Sequence, residues 1–206
     1  MNIFAVSNQK GGVGKTTTTV NLAASLVAKK KKVLLIDLDP QGNATSGSGL
    51  NKSKITKSIY DVLIGRENIT NVIQNSPESF FDIVPATQSL AGAEVELVDI
   101  DDREYILKKQ LSKIKNYDYV LIDCPPALSL LTLNALVSAN SVLIPMQCEY
   151  YALEGLSDLV NTIKKVKKHL NPQIEIEGLL RTLFDRRNTL GKQVSDQLSA
   201  HFGNKV

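Results

Sequence analysis

A glycine-rich segment near the start of the chain, QKGGVGKTTTT at 9–19, holds two lysines five residues apart. Its last part, Gly14-Lys15-Thr16, fits the end of the phosphate-loop pattern G-x-x-x-x-G-K-[ST], although Gln9 stands at the first glycine position. The glycines would let the backbone turn its N–H groups toward phosphate oxygens, and a following helix would add its positive N-terminal end. The segment therefore predicts a nucleotide site in which Lys15 reaches the β- and γ-phosphates and the Thr16 hydroxyl binds Mg²⁺.

Three acids follow apolar runs and could complete a magnesium site. The run VLLIDLDP supplies Asp37 and Asp39, and the run VLIDCPP supplies Asp123. A nucleotide-bound Mg²⁺ usually takes a second protein ligand from an acid at the end of a neighbouring strand. Asp123 best resembles such a Walker B acid, because it ends a four-residue apolar run. For any one of these acids alone, a cap of a helix or turn is the alternative interpretation.

The elements that must position these residues alternate between short apolar runs and segments of helical spacing. We predict strands over 3–6, 32–37, 81–87, 119–123, 141–146 and 174–184. We predict helices over 16–30, 58–65, 88–98, 103–115, 152–170 and 189–202, and a looser stretch over 41–54. Near-continuous apolar strands separated by helices indicate an α/β fold, with a mostly parallel sheet covered by helices on both faces. We expect one domain over 1–206, lacking the strand that the alternation would supply after its last helix.

Composition narrows the class of protein. The 206 residues are 43% hydrophobic, with a net charge of +3 that permits contact with nucleic acid without demanding it. Cys124 and Cys148 have no metal-ligand spacing, which favours two reduced thiols. The sequence shows no signal peptide and no apolar run of the ~20 residues needed to span a bilayer. We therefore expect a cytoplasmic protein without a membrane partner.

Three segments together resemble one family. KGGVGKTT (10–17), DLDPQGNAT (37–45) and VLIDCPPALSLLTLNAL (120–136) are similar to the ParA/Soj family of DNA-partitioning ATPases. That family belongs to the deviant Walker A class of P-loop proteins, which includes MinD. The resemblance implies a P-loop NTPase fold and Mg²⁺-dependent hydrolysis of ATP, slow unless stimulated. It also implies a homodimer in the ATP state, with two nucleotides between two facing subunits.

The resemblance also implies roles for particular residues. Lys10 matches the signature lysine that reaches the phosphates of the partner subunit's ATP, while Lys15 serves its own subunit. Asp39 matches the carboxylate that orients the attacking water, Asp123 matches the acid that holds Mg²⁺ through water, and Asp37 becomes a supporting acid. The implied nucleotide-contacting set is Lys10, Gly11, Gly12, Val13, Gly14, Lys15, Thr16 and Thr17. The family's adenine-binding Pro-x-Asn element is absent from this sequence.

Basic residues bear on a DNA partner. The resemblance implies that an arginine in the FDRRN segment (184–188) helps to bind DNA nonspecifically, with Arg187 the better match and Arg186 its neighbour. Lysine runs at 29–32 and 164–168 are better explained as helix C-termini, where cations favour the helix dipole. A ParB-type protein would stimulate hydrolysis, and the ATP-bound dimer would associate with the nucleoid.

Two alternatives stay open at this level. A MinD-like regulator of division-site placement would need a C-terminal amphipathic helix, and none is visible. An electron-transfer ATPase like the nitrogenase iron protein would need cysteines that hold an iron–sulfur cluster, and neither cysteine position resembles those ligands.

Overall fold

Seven strands form one sheet at the centre of the computed structural model, which describes residues 1–76, 80–149 and 152–206. The strands are β1 (Asn2–Val6), β2 (Val33–Asp37), β3 (Gln74–Asn75), β4 (Asp82–Val84), β5 (Tyr119–Asp123), β6 (Ser141–Gln147) and β7 (Glu175–Thr182). Their spatial order is β3-β4-β2-β5-β1-β6-β7. All neighbouring strands run parallel except the short edge pair β3 and β4. The mostly parallel sheet predicted from the sequence is confirmed.

Eight α-helices accompany the sheet in the described ranges. They are α1 (Lys15–Ala28), α2 (Asn43–Gly47), α3 (Ile59–Leu63), α4 (Leu90–Glu96), α5 (Ile106–Leu111), α6 (Leu130–Ser138), α7 (Ala152–His169) and α8 (Thr189–Phe202).

Two apolar cores, one on each face of the sheet, explain why the central strands are continuous apolar runs. Alternate side chains of a strand point to opposite faces. In β2, Val33 and Leu35 pack in the smaller core with residues of α1, whereas Leu34 and Ile36 pack in the larger core. The larger core takes side chains from α3 to α8. Since both faces of β2 are covered, all five of its residues are buried, as expected for a parallel sheet.

Most predicted elements are found, with shifted ends. The helix predicted over 103–115 is a 3₁₀ turn at Arg103–Tyr105 followed by α5, and the strand predicted over 174–184 ends at Thr182. The residue after that strand, Leu183, adopts a left-handed φ of +50°, which strand pairing does not accommodate. The strand predicted over 81–87 spans only Asp82–Val84.

Two helices were not predicted. The short α2 lies inside the stretch expected to be loose, and it begins after Gly42, whose φ is +62°. The backbone N–H of Thr45 in this helix donates to the Asp37 carboxylate at 2.7 Å, so a strand residue caps the helix. The other helix, α6, is buried over most of its length. Its sequence LLTLNALVS therefore lacks the polar face that marks an amphipathic helix.

Candidate phosphate-binding site

The glycine-rich loop connects the central strand β1 to α1 at the carboxyl edge of the sheet. Gly12 and Gly14 have φ values of +72° and +85°, a backbone conformation that favours glycine. A Cβ atom at Gly11 or Gly12 would meet nothing within 4 Å, so the backbone there faces open space. That space is a cavity of about 590 Å³. Its lining is Gly11, Gly12, Gly14, Lys15, Thr16, Thr17, Asp39, Pro40, Gln41, Asn43, Pro125 and Pro126.

Side chains near the ends of three strands hold the loop in place. Buried Asn8 accepts a hydrogen bond from the Lys10 backbone N–H at 3.0 Å and donates to the Pro145 carbonyl at 2.8 Å. Thr182 Oγ1 donates to the Val13 carbonyl at 2.8 Å, and Gln147 Nε2 lies 3.3 Å from the Gly12 carbonyl.

Sequence reasoning missed these three side chains. The available signal was a polar residue at or just beyond the carboxyl end of a buried strand, where parallel sheets place their ligands. Val13, by contrast, was predicted to contact nucleotide, but its side chain is buried and does not line the cavity.

Lys15 is placed inside the loop. It is the first residue of α1 and is only 7% exposed. Its ammonium donates to the Lys10 carbonyl at 2.9 Å, which holds the charge across the loop. Burial lowers the pKa of Lys15, and the negative charge of Asp123 opposes that shift. This cation is therefore largely desolvated and lies beside the cavity.

Thr16 and Asp123 meet as the magnesium hypothesis requires. Thr16 Oγ1 donates to Asp123 Oδ2 at 2.7 Å, and Thr19 Oγ1 lies 3.1 Å from Asp123 Oδ1. Thr19 was not predicted, although it lies three residues after Thr16 and so faces the same way on the helix. Burial, with a further contribution from the charge of Asp37, raises the pKa of Asp123 to about 7, and the Thr16 hydrogen bond opposes this shift.

A hydroxyl and a carboxylate are oxygen ligands that suit Mg²⁺. In the described part of the chain, no group of three or more His, Cys, Asp or Glu residues could hold a metal by itself. A bound Mg²⁺ would therefore need phosphate and water oxygens as its other ligands, which is how Mg²⁺ usually binds with nucleotides.

Asp37 and Asp39 have different environments although they lie two residues apart. Asp37 is opposite Asp123 in the β2–β5 register and is fully buried. Its carboxylate accepts hydrogen bonds from the Thr45 backbone and hydroxyl, both at 2.7 Å, and from the Asp39 backbone N–H at 3.2 Å. Burial raises the pKa of Asp37 to about 6, against those hydrogen bonds.

Asp39, beyond the end of the strand, lines the cavity, and its Oδ1 accepts from the Gln41 N–H at 2.9 Å. Asp37 thus holds the start of α2, while Asp39 faces the cavity.

The second lysine of the loop points elsewhere. Lys10 does not line the cavity, and its ammonium forms an ion pair with Glu149, which lies after β6. The two side chains are 40% and 55% exposed, so this pair is solvated. The structure therefore separates a buried cation, Lys15, from an exposed one, Lys10.

The arginines predicted to bind DNA lie in an exposed loop after β7. Arg187 is 91% exposed and binds the Asp185 carboxylate through Nε at 3.0 Å and Nη2 at 2.7 Å. Arg186 is also exposed and pairs with no acid that the structure describes. Because Thr182 holds the phosphate loop, this arginine loop lies at the same edge of the sheet. Of the other basic runs, Lys167 pairs with Glu175.

The two cysteines are buried within the single chain. Cys124 and Cys148 are both buried free thiols, and burial raises the pKa of each. Buried thiols of this kind are poorly placed to hold a cluster shared between two subunits. Separately, none of the described helices is long and apolar enough to cross a membrane.

Comparison with known proteins agrees with this geometry. A family model described as an AAA domain matches residues 1–176. The sporulation initiation inhibitor protein Soj of Bacillus subtilis is 53% identical over 205 residues, which cover 99% of this chain and 81% of that protein. The chromosome partitioning protein ParA of Myxococcus xanthus is 52% identical over 205 residues, which cover 99% of this chain and 72% of that protein.

A solved structure shares the fold over almost the whole chain. Cobyrinic acid a,c-diamide synthase from Mycobacterium smegmatis, with bound ADP and magnesium, superimposes with a TM-score of 0.93 at 39% identity. The match covers 98% of this chain and 83% of that one. With its deviant phosphate loop at the centre of a mostly parallel sheet, the chain belongs to the ParA/Soj family of partitioning ATPases.

Proposed function

We propose that this protein is an Mg²⁺-dependent ATPase that works as a switch in DNA partitioning. The observation that carries the proposal is the convergence of Lys15, Thr16 and Asp123 beside one glycine-walled cavity, with Asp39 in its wall. The mycobacterial neighbour, which has ADP and magnesium bound, supports a nucleotide as the ligand of this cavity.

In the proposed hydrolysis, different residues of the chain bind the phosphates, hold the metal and orient the attacking water. Lys15 and the loop N–H groups would bind the phosphates, and the Thr16 hydroxyl, which donates to Asp123 here, would help to hold the metal. Bound Mg²⁺ would neutralise charge that develops on the phosphate oxygens. Asp123 would hold the metal through water, and Asp39 would orient the attacking water from the cavity wall. Asp37 fixes the Asp39 backbone and the start of α2.

Dimerisation gives Lys10 its function. In the single chain its ammonium is paired with Glu149 and lies outside the cavity. In the ATP state Lys10 leaves Glu149 and binds the phosphates of the partner subunit's nucleotide, which closes a two-subunit site. Lys10→Ala should therefore leave ATP binding by the monomer largely intact and prevent the dimer.

Binding of DNA follows from dimerisation. Each chain carries a net charge of +3 and an exposed loop with Arg186 and Arg187. A dimer joins two such loops, so two weak footprints become one bivalent footprint without a change at either loop. Binding of this kind is electrostatic, insensitive to sequence and strongly salt-dependent. It would associate the ATP state with the nucleoid.

A ParB-type partner would stimulate slow intrinsic hydrolysis and so release the dimer from DNA. The MinD-like alternative is not favoured, because the two similar proteins named above are a Soj protein and a ParA protein.

The test combines nucleotide and DNA binding. DNA retention is measured with ATP, ADP and no nucleotide at two salt concentrations, for the wild type and Lys15→Ala. We expect retention only with ATP, a steep loss at the higher salt, and loss of both nucleotide and DNA binding in Lys15→Ala. Retention that ignores nucleotide would overturn the switch, and unchanged ATP binding by Lys15→Ala would overturn the assigned phosphate site.

A further inference from the structure

Exposed apolar side chains gather beside a groove between the end of α4 and the start of α6. Val98 is 55% exposed and Leu128 is 43% exposed, and both line this groove of about 560 Å³. We call it the α4–α6 groove, defined by its apolar lining Val98, Leu128, Leu130, Leu133 and Leu136; Glu94 and Arg103 also line it. Val95 and Ile100, 76% and 39% exposed, lie beside Val98 in the chain. Neighbouring exposed apolar residues of this kind commonly mark an interaction site.

The margin of the groove, which is the segment 94–104, is strongly acidic in sequence, although its charged residues in the groove lining are one acid, Glu94, and one base, Arg103. The segment 94–104, EVELVDIDDRE, holds six acids and a single base in a chain whose net charge is +3. That base, Arg103, donates to the carbonyl of Val98, so its charge is turned onto its own segment. Asp102 pairs with Lys109, but Glu94, Asp99 and Asp101 pair with no cation in the described ranges. The margin therefore has uncompensated negative charge beside apolar surface.

A buried hydroxyl in the groove lacks a partner. Ser129 precedes the first residue of α6 and lines the groove, yet its side chain makes no capping hydrogen bond. Its Oγ is buried and finds no hydrogen-bond partner among the described residues. Such a group normally finds one, because leaving it unsatisfied is unfavourable. The Ser129 side chain would have to rotate toward the groove before a polar atom of a docked ligand could satisfy it, because its Oγ is closed to solvent.

We propose that the α4–α6 groove binds a basic amphipathic segment of a partner protein. The apolar face of the segment enters the groove, and its lysines or arginines meet the acidic margin. This binding mode reuses the helix-in-groove recognition of amphipathic segments. A second copy of the chain, docked symmetrically by this surface, would bring two acidic margins together and be repelled. DNA is repelled for the same reason.

The groove adjoins the phosphate cavity through one short loop. Pro125 and Pro126 line the cavity, and Leu128 and Ser129 line the groove. All four follow Asp123, the acid that contacts Thr16. A segment docked in the groove therefore touches the loop that directly follows the magnesium-side acid. This link deepens the proposed function, since it names a surface from which a partner could act on hydrolysis.

The binding test uses a fluorescein-labelled peptide, LKKLLKLLKKLLKL, which is basic and amphipathic as a helix. Anisotropy is measured without nucleotide on the whole chain. Val98→Asp and Leu128→Asp should each weaken binding at least tenfold, about 1.4 kcal/mol. Both residues are exposed, so the variants should fold. Charge reversal of Asp99 and Asp101 to lysine should weaken binding similarly.

Two controls make the result specific. Leu190→Asp changes a residue of α8 that is 46% exposed, and Asp196→Lys reverses an exposed acid of the same helix. Both should bind the peptide as the wild type does. Equal binding by the groove variants and the wild type overturns the proposal, as does equal binding of the acidic peptide LEELLELLEELLEL. Self-association that Leu128→Asp abolishes in sedimentation would assign the groove to a second copy and equally overturn it.

The same measurement on Lys15→Ala separates this proposal from the proposed function. The groove is formed without nucleotide, so Lys15→Ala should keep the peptide binding of the wild type. A protein that fails to hydrolyse ATP but binds the peptide in the groove refutes the ATPase proposal alone. A working ATPase whose groove variants bind normally refutes the groove alone.

Discussion

Replacing Glu149 by glutamine should strengthen the ATP-dependent dimer, because it removes the carboxylate that holds Lys10 in the single chain. The magnitude follows from exposure. With side chains 40% and 55% exposed, the pair is a surface ion pair, which contributes about 0.2–1 kcal/mol. Two such pairs open when a dimer forms, so the variant should gain about 0.4–2 kcal/mol, a twofold to thirtyfold lower dimer Kd.

Sedimentation velocity with a non-hydrolysable ATP analogue and Mg²⁺ measures this dimer Kd. Glu154→Gln is the matched control, since it makes the same charge change at an exposed residue in the first turn of α7. The gain should shrink as salt rises, because salt screens the pair that the variant lacks. If Glu149→Gln dimerises no more tightly than the wild type, or if Glu154→Gln shows the same gain, Glu149 does not restrain Lys10.

Three further outcomes are expected. Asp39→Ala should bind ATP and accumulate as a dimer with little turnover, by sizing and phosphate release; normal turnover would remove Asp39 from the reaction. Asp185→Asn should strengthen salt-sensitive DNA retention, because it frees Arg187 from its ion pair, whereas Arg187→Glu should abolish retention and leave the dimer intact. Binding that neither change affects would place the DNA footprint elsewhere. Burial raises the folded-state pKa of Asp37 to about 6 and that of Asp123 to about 7. The folded chain therefore binds more protons than the unfolded chain at pH values between the ordinary range of a carboxyl pKa and about 7. Without nucleotide, their contribution to the free energy of unfolding should fall as pH rises through that window. Urea unfolding across pH should show the fall, and Asp123→Asn should flatten it; an equal slope in the variant would contradict this assignment.

The sequence predicted those features that depend on local pattern. The strand at 119–123 and the helix at 189–202 have the predicted bounds; the strand is a continuous apolar run that ends in an acid. The phosphate loop was equally clear, because Gly14 and Lys15 have few other uses at that spacing. The helix α2 was not predicted from the sequence, because the side chain that caps it belongs to Asp37 of β2 and not to a residue next to the helix.

The same limit applies inside the site. No local pattern distinguishes Asp37 from Asp39, since both follow the same apolar run. The distinction comes from the register, which places Asp37 opposite Asp123 and buries it, while Asp39 lies past the end of the strand. The contacts of Asn8 with the carbonyl of Pro145 and of Thr182 with that of Val13 span 137 and 169 residues. Such long-range hydrogen bonds are decided by topology, so a sequence pattern could only suggest that polar strand ends gather there.

The two lysines of the phosphate loop differ in what it would cost to move them. Lys15 is 7% exposed and bound to a carbonyl of its own loop, so moving its ammonium would break a contact that replaces lost hydration. Lys10 is solvated, and exchanging Glu149 for another anion forfeits only about 0.2–1 kcal/mol. Its backbone is held by Asn8, so that exchange needs a side-chain rotation and no refolding of the loop. Under the proposed function, a cation fixed at its backbone and held at its tip only by a solvated ion pair would serve a second subunit, while the buried lysine would bind the phosphates of its own subunit.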